Sequence, residues 1–129
     1  MEGFTEGLVK EMHPDWNIRF LLIEPGGVQS QFVANMDEIA RHPAYTDPTC
    51  PTNQLRALFE IPEIRASFAH PDGVAEVIWK ASSMGGLPLR LPVGGDAWGA
   101  IKSKVDEMQK DLETVRELSL STGNPNYLV

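Results

Sequence analysis

Pro25-Gly26-Gly27-Val28-Gln29-Ser30 is the stretch of this sequence best suited to meeting a ligand. Glycine lacks a Cβ, so two in succession let backbone amides come close to a bound group. Ser30 adds a hydroxyl that can donate and accept. Taken alone, Pro-Gly-Gly reads as a turn before it reads as a site. A second glycine cluster, Gly94-Gly95-Asp96-Ala97-Trp98-Gly99, stands where a phosphate could rest on helix amides. Asp96 would repel that anion, and the glycine spacing fits no dinucleotide fingerprint, so Asp96 is expected to be a structural helix cap. His13, His42 and His70 each precede a proline, which favours extended or turn backbone. They lie far apart, with no ligand spacing around Cys50, so no metal site is expected.

The elements that would position the Pro-Gly loop follow from periodicity. Phe20 to Ile23 is a run of four large apolar residues ending at Glu24 and the turn, which reads as a strand from Ile18 buried on both faces. Before it, Met1, Phe4, Leu8, Val9 and Met12 recur at helical spacing, predicting a helix over 1–13. Gly3 and Gly7 lie one turn apart on it, read equally as a close-packing face or as tolerated exposed glycines. Phe32, Met36 and Ile39 give a weak helical pattern. Pro43, Pro48 and Pro51 mark a long loop over 41–53, so that 31–70 reads as an irregular substrate lid with short helical pieces either side of Pro62. Asp72 reads as the cap of a helix carrying Val74, Val77, Ile78 and Ala81. Leu87 to Val93 reads as a second strand with Pro88 and Pro92 marking its ends.

In the last helix Trp98, Ile101, Val105, Met108, Leu112 and Val115 alternate in spacings of three and four. The run is under three heptads, so packing on the sheet is expected over a coiled coil. Residues 119–129 read as a flexible tail. Strand, helix, strand predicts a parallel βαβ unit with a right-handed crossover in an α/β fold.

Composition narrows the function. A chain of 129 residues with 42% hydrophobic and 22% charged residues is the size of one globular domain. The net charge of −7, without clustered Lys or Arg, speaks against nucleic acid as a partner. No apolar run reaches the ~20 residues of a membrane span. The lone Cys50 fits a reducing, cytoplasmic setting.

The segments Met1 to Glu11, Glu24 to Ser30, His70-Pro71-Asp72-Gly73-Val74-Ala75 and Leu89-Arg90-Leu91-Pro92-Val93-Gly94 together resemble the carboxyl-terminal half of a short-chain dehydrogenase/reductase, over residues 1–118. The resemblance implies a partial Rossmann-like fold, the last two strands of a seven-stranded doubly wound parallel sheet with their helices. It implies NAD or NADP as cofactor, with Pro25, Gly26, Gly27 and Val28 facing the nicotinamide and Ser30 standing where the family often has Thr. Helix 1–13 resembles the helix with which relatives dimerise, implying a homo-oligomer or a complementing chain.

The departures weigh as much. The family works with an upstream Ser, a Tyr-x-x-x-Lys pair and a glycine-rich turn after its first strand. Here Tyr45 is followed four residues on by Thr49, Tyr127 stands two residues before the final Val129, and no Gly-x-x-x-Gly-x-Gly occurs. The chain is expected to begin just after the family's catalytic motif, as a truncated oxidoreductase with no catalytic residue of its own and only weak hold on a cofactor. The alternatives are a non-redox binding module, a cofactor-free isomerase or cyclase with a pocket lined by Val28, Phe32 and Tyr45, and an incomplete gene product.

Overall fold

Prolines and histidines set the helix starts. In the computed structural model, which describes residues 1–37 and 39–123, helix α1 spans Glu2–Glu11 and strand β1 Leu22–Pro25. Helices α2 (Pro51–Glu60), α3 (Pro62–Ala66) and α4 (Pro71–Ser83) follow. Strand β2 (Arg90–Val93) and helix α5 (Gly95–Leu120) complete the order. Pro51, Pro62 and Pro71 each open a helix, where the missing N–H would have had no intrahelical partner. The segment 31–70 is therefore more helical than its proline content predicts.

Three His-Pro units share one device. The Nδ1 atoms of His13, His42 and His70 accept from the backbone N–H two residues on, at 3.2, 3.2 and 3.3 Å, capping two short 3-10 turns (Pro14–Trp16, Pro43–Tyr45) and α4. Asp72 is thus not the cap of α4; His70 is, with Asp72 in the first turn. Residues 32–35 make a single turn, closed by Asn35 N–H to Gln31 O at 2.9 Å, in place of the expected helix. Asn35, which closes the turn, and Asp37 just after it both favour turns over helix interiors.

Two strands form one parallel sheet with Leu22 opposite Arg90, Ile23 opposite Leu91, Glu24 opposite Pro92 and Pro25 opposite Val93. Both are shorter than their apolar runs, because pairing lasts only while the chains run side by side. Leu22 N–H donates to Leu89 O at 2.7 Å and Gly26 N–H to Val93 O at 3.0 Å. Alternation along β2 then turns Pro92 to the outer edge, so a proline stands inside the strand at no cost in ladder bonds.

The expected burial of β1 on both faces does not occur. Leu22, Ile23 and Glu24 are half-buried, Pro25 is exposed, and among the described residues only Ala81 and Val93 are fully covered. The accessible surface is 10988 Å², where a compact monomer of this mass would expose about 6,800 Å². An open groove of about 950 Å³ runs between α1, β1 and α4, lined by Val9, Met12, Phe20, Ile23, Ile78 and Leu89 among others. Nothing lies against Gly3 or Gly7, so that face of α1 is uncovered within this chain. Helix α5 meets β2 only near its start, and every residue from Lys102 to Leu120 is exposed. It therefore does not lie along the sheet as its spacing predicts. It continues to Leu120, past the expected start of the tail at 119, and residues 124–129, with Tyr127, lie outside the described residues.

One charge cluster ties α1 to the strands. Arg90 donates to Glu2 Oε2 at 2.6 Å, Glu6 Oε1 at 2.7 Å and Glu24 Oε1 at 2.6 Å. The three acids raise the Arg90 guanidinium above its ordinary value, and its bond and charge hold the Glu2 carboxyl below the usual 4.5. A depressed carboxylate lends stability above its unfolded pKa and loses it as pH falls through the folded one. We predict that amide protection over Glu2–Glu11 drops as pH falls below 4.5. Arg90→Ala should remove that protection at neutral pH, lower the Tm by several degrees and flatten the acid dependence; unchanged exchange in α1 would refute the tether.

Candidate functional site

The loop after β1 leaves at the carboxyl ends of both parallel strands, where ligands of α/β sheets are bound. Six backbone or side-chain bonds fix it. Gly26 N–H extends the ladder to Val93 O, and Gly27 N–H donates to Asp96 Oδ2 at 2.7 Å. Gly27 O accepts from Ala69 N–H and Ala69 O from Gln29 N–H, both at 3.0 Å, which makes Val28 and Ala69 a parallel bridge. The Gln29 amide nitrogen reaches across to Ala66 O at 3.0 Å and Phe68 O at 2.7 Å, closing the end of α3.

The two glycines are required by contact. A Cβ on Gly26 would enter the Asp96 carboxylate, and one on Gly27 would enter the ring of Phe68, which itself stacks edge-on with Phe59 at 6.0 Å. Asp96 is not the cap of α5, as its position predicts. Gly94 holds the cap position without a side-chain bond, and Asp96, one residue into the helix, spends its carboxylate on the loop. The Gly27 amide first, and the Ala97 amide second, hold that carboxyl below the ordinary 3.8.

Of the six residues from Pro25 to Ser30, Gly26, Gly27 and Gln29 have their N–H groups engaged within the chain. In a parallel bridge the central residue turns its own N–H and C=O away from its partner. Val28 therefore presents both toward the side opposite Ala69. Ser30 Oγ accepts from Phe32 N–H at a long 3.4 Å, which leaves its proton available to donate. Val28 and Ser30 line one groove of about 430 Å³ together with Gln29, Val33, Arg65 and Phe68.

Of the expected pocket residues Val28, Phe32 and Tyr45, Val28 lines that groove and Phe32 and Tyr45 do not. Both rings are exposed, at 72% and 64%. Tyr45 sits in its own short turn, where Asn53 is the organiser: its amide donates to Tyr45 O at 2.8 Å and Asp47 O at 2.7 Å, and its oxygen accepts from Arg41 at 2.8 Å. The Thr49 hydroxyl and then the Thr49 amide lower the Asp47 carboxyl in the same turn. Among the described residues no group of three His, Cys, Asp or Glu is placed to hold a metal ion, and no helix is long and apolar enough to cross a membrane.

The residues that sequence reading passed over are Gln29, Arg90 and Glu24. Arg90 and Glu24 did carry a signal: each is the single charge within an otherwise apolar strand, in partner positions two residues apart along the register. Gln29 carried none, since its role depends on where α3 ends.

No family model matches the chain, and no solved structure matches it. Among curated proteins it is similar to Oxidoreductase calM of Penicillium decumbens, 36% identical over 121 residues, which is 92% of this chain and 40% of the relative. It is also similar to Uncharacterized oxidoreductase C162.03 of Schizosaccharomyces pombe, 25% identical over 128 residues, covering 98% of this chain and 42% of that protein. The chain is thus related to proteins named oxidoreductases and spans about two fifths of their length.

The Asp96 tie sets a direct test. A charge-assisted bond at an exposed site contributes roughly 1 kcal/mol or less. Asp96→Ala should lower stability by about that amount and speed exchange of the Gly27, Ala69 and Gln29 amides by several-fold, with Asp96→Asn in between. Because the Asp96 pKa is depressed, the tie should persist at neutral pH and fail only as pH falls below 3.8. Gly27→Ala should be worse than Asp96→Ala, since the Phe68 ring has to move.

Proposed function

We propose that this chain is the carboxyl-terminal part of a short-chain dehydrogenase/reductase, with β1 and β2 as the last two strands of a doubly wound parallel sheet. In this reading the loop from Pro25 to Ser30 receives the nicotinamide end of NAD or NADP, whose chemistry when bound is hydride transfer. Val28 N–H can donate to the carboxamide oxygen and Val28 C=O can accept from its NH2, and Ser30 Oγ–H can donate to the carboxamide oxygen or the adjacent phosphate. Gly26, Gly27 and Pro25 act one step back, by holding Val28 in place. The observation that carries the reading is the clamped loop: two independent ties, to Asp96 and to Ala69, fix one outward backbone edge at the carboxyl ends of parallel strands. Relatedness to proteins named oxidoreductases supports it.

The same residues do not fit the rest of a dinucleotide. A diphosphate needs free amides at a helix start or a glycine-rich turn; here the first turn of α5 carries the Asp96 carboxylate, and no Gly-x-x-x-Gly-x-Gly occurs in the sequence. Nor does the chain hold a Tyr-x-x-x-Lys pair to move a proton to or from a carbonyl oxygen. Both functions have to come from further polypeptide, and a reducing cytosolic compartment suits the lone Cys50. A second reading, a non-redox module that docks a partner in the apolar groove between α1, β1 and α4, is favoured by the size and openness of that groove.

The chain alone should neither oxidise NADPH with ketone substrates nor change its Tm with micromolar NADP⁺. Mixed with the amino-terminal part of the Penicillium relative, it should form a complex that binds NADPH, read as a change in nicotinamide fluorescence. Ser30→Ala should weaken that binding several-fold. Turnover by the chain alone would sink the proposal, and a complex that forms without binding cofactor would favour the second reading.

A further inference from the structure

We propose that α5 pairs in parallel with α5 of a second copy of this chain. The inference does not depend on the nicotinamide reading. Helix α5 is 26 residues long and meets β2 only near its start, and its stripe of Val105, Met108, Leu112 and Val115 is exposed, with no covering element among the described residues. Leu112, at its centre, is 67% exposed. Spacings of three and four put Trp98, Val105 and Leu112 at the first core position of successive heptads and Ile101, Met108 and Val115 at the second, the pattern of a helix seam.

The flanking charges select the occupant and its direction. In parallel pairing the residue before a first core position faces the partner residue five further on. Asp111 then meets Arg116 of the second helix, and by symmetry Arg116 meets Asp111, so one helix carries both halves of a self-complementary contact. Among the described residues Arg116 is in no ion pair and Asp111 feels only the more distant charge of Lys104, whereas the other flanking cations, Lys102 and Lys104, are already bonded to Asp106 and Glu107 of their own helix. Antiparallel pairing of the same seam would bring Asp111 against its own symmetry mate and Lys102 toward Arg116, both repulsive. Pairing would cover the apolar stripe that this chain leaves in water.

Sedimentation equilibrium on the full chain tests the geometry. The parent should be a dimer with a Kd in the micromolar range, as suits a seam of under three heptads. Leu112→Glu should leave monomer at the same concentration, with unchanged helicity by circular dichroism. Asp111→Arg and Arg116→Asp should each raise Kd by roughly ten-fold. The double variant, or an equimolar mixture of the two single variants, should restore association. A monomeric parent would overturn the proposal. So would a dimer indifferent to Asp111→Arg, which would place the association on another apolar face, or single variants that are not rescued in combination.

Discussion

Four residue pairs of parallel ladder hold this molecule's architecture. From Leu22 opposite Arg90 to Pro25 opposite Val93, they are what brings segments nearly seventy residues apart side by side. A ladder this short is weak by itself, because two strands expose both edges and most of both faces. It is reinforced at each end by side chains. At the amino end Arg90 gathers Glu24 from the neighbouring strand and Glu2 and Glu6 from α1. At the carboxyl end Gly26 adds one more rung, and Asp96 and Ala69 take over where the strands diverge. One Glu24 oxygen is buried without a partner, so the cluster carries an unmet acceptor that Arg90 alone balances.

Much of the fold was legible because it rests on local rules. The last helix, helix α4, the two strands and their parallel sense follow from periodicity and from Gly and Pro punctuation. What was not legible depends on partners distant in sequence. The strand from Ile18 is shortened to Leu22 because Leu89 is the first residue of the second strand segment to meet it. The prolines of the lid open helices where they were read as breaking order, since a proline looks the same in both roles until the residues after it are placed. The capping roles went to His70 and Gly94 in place of Asp72 and Asp96. Rank order of cap preference predicts the opposite, and is overridden here by a His-Pro turn in one case and by a bond to Gly27 in the other.

The exposed apolar faces have one physical meaning in common. Hydrophobic residues at helical spacing on α1 and α5, and a strand as apolar as Phe20 to Ile23, are patterns that stabilise a fold only when something covers them. Within this chain the start of α5 meets β2, and among the described residues only Ala81 and Val93 are buried. The relatives' length, of which this chain spans about two fifths, is consistent with covering polypeptide beyond the matched part. The two uncovered regions differ in kind. The groove between α1, β1 and α4 is concave and borders an unpaired strand edge, which is the shape that takes another strand or helix. The α5 stripe is convex, narrow and flanked by opposite charges, which is the shape that takes a helix like itself.

The loop after β1 shows that Pro-Gly-Gly here does more than reverse the chain. A turn needs only that the chain reverse, and many residues would serve. This loop must also pass between the Asp96 carboxylate and the Phe68 ring, which forbids a side chain at 26 and at 27. Once both amides are spent on Val93 and Asp96, the next residue has no choice of direction: the bridge to Ala69 turns Val28 N–H and C=O to the opposite edge. The glycines therefore fix the direction of the Val28 backbone groups. In the nicotinamide reading proposed above, that arrangement offers directional partners for one small amide and none for a diphosphate, which fits the end of a larger site.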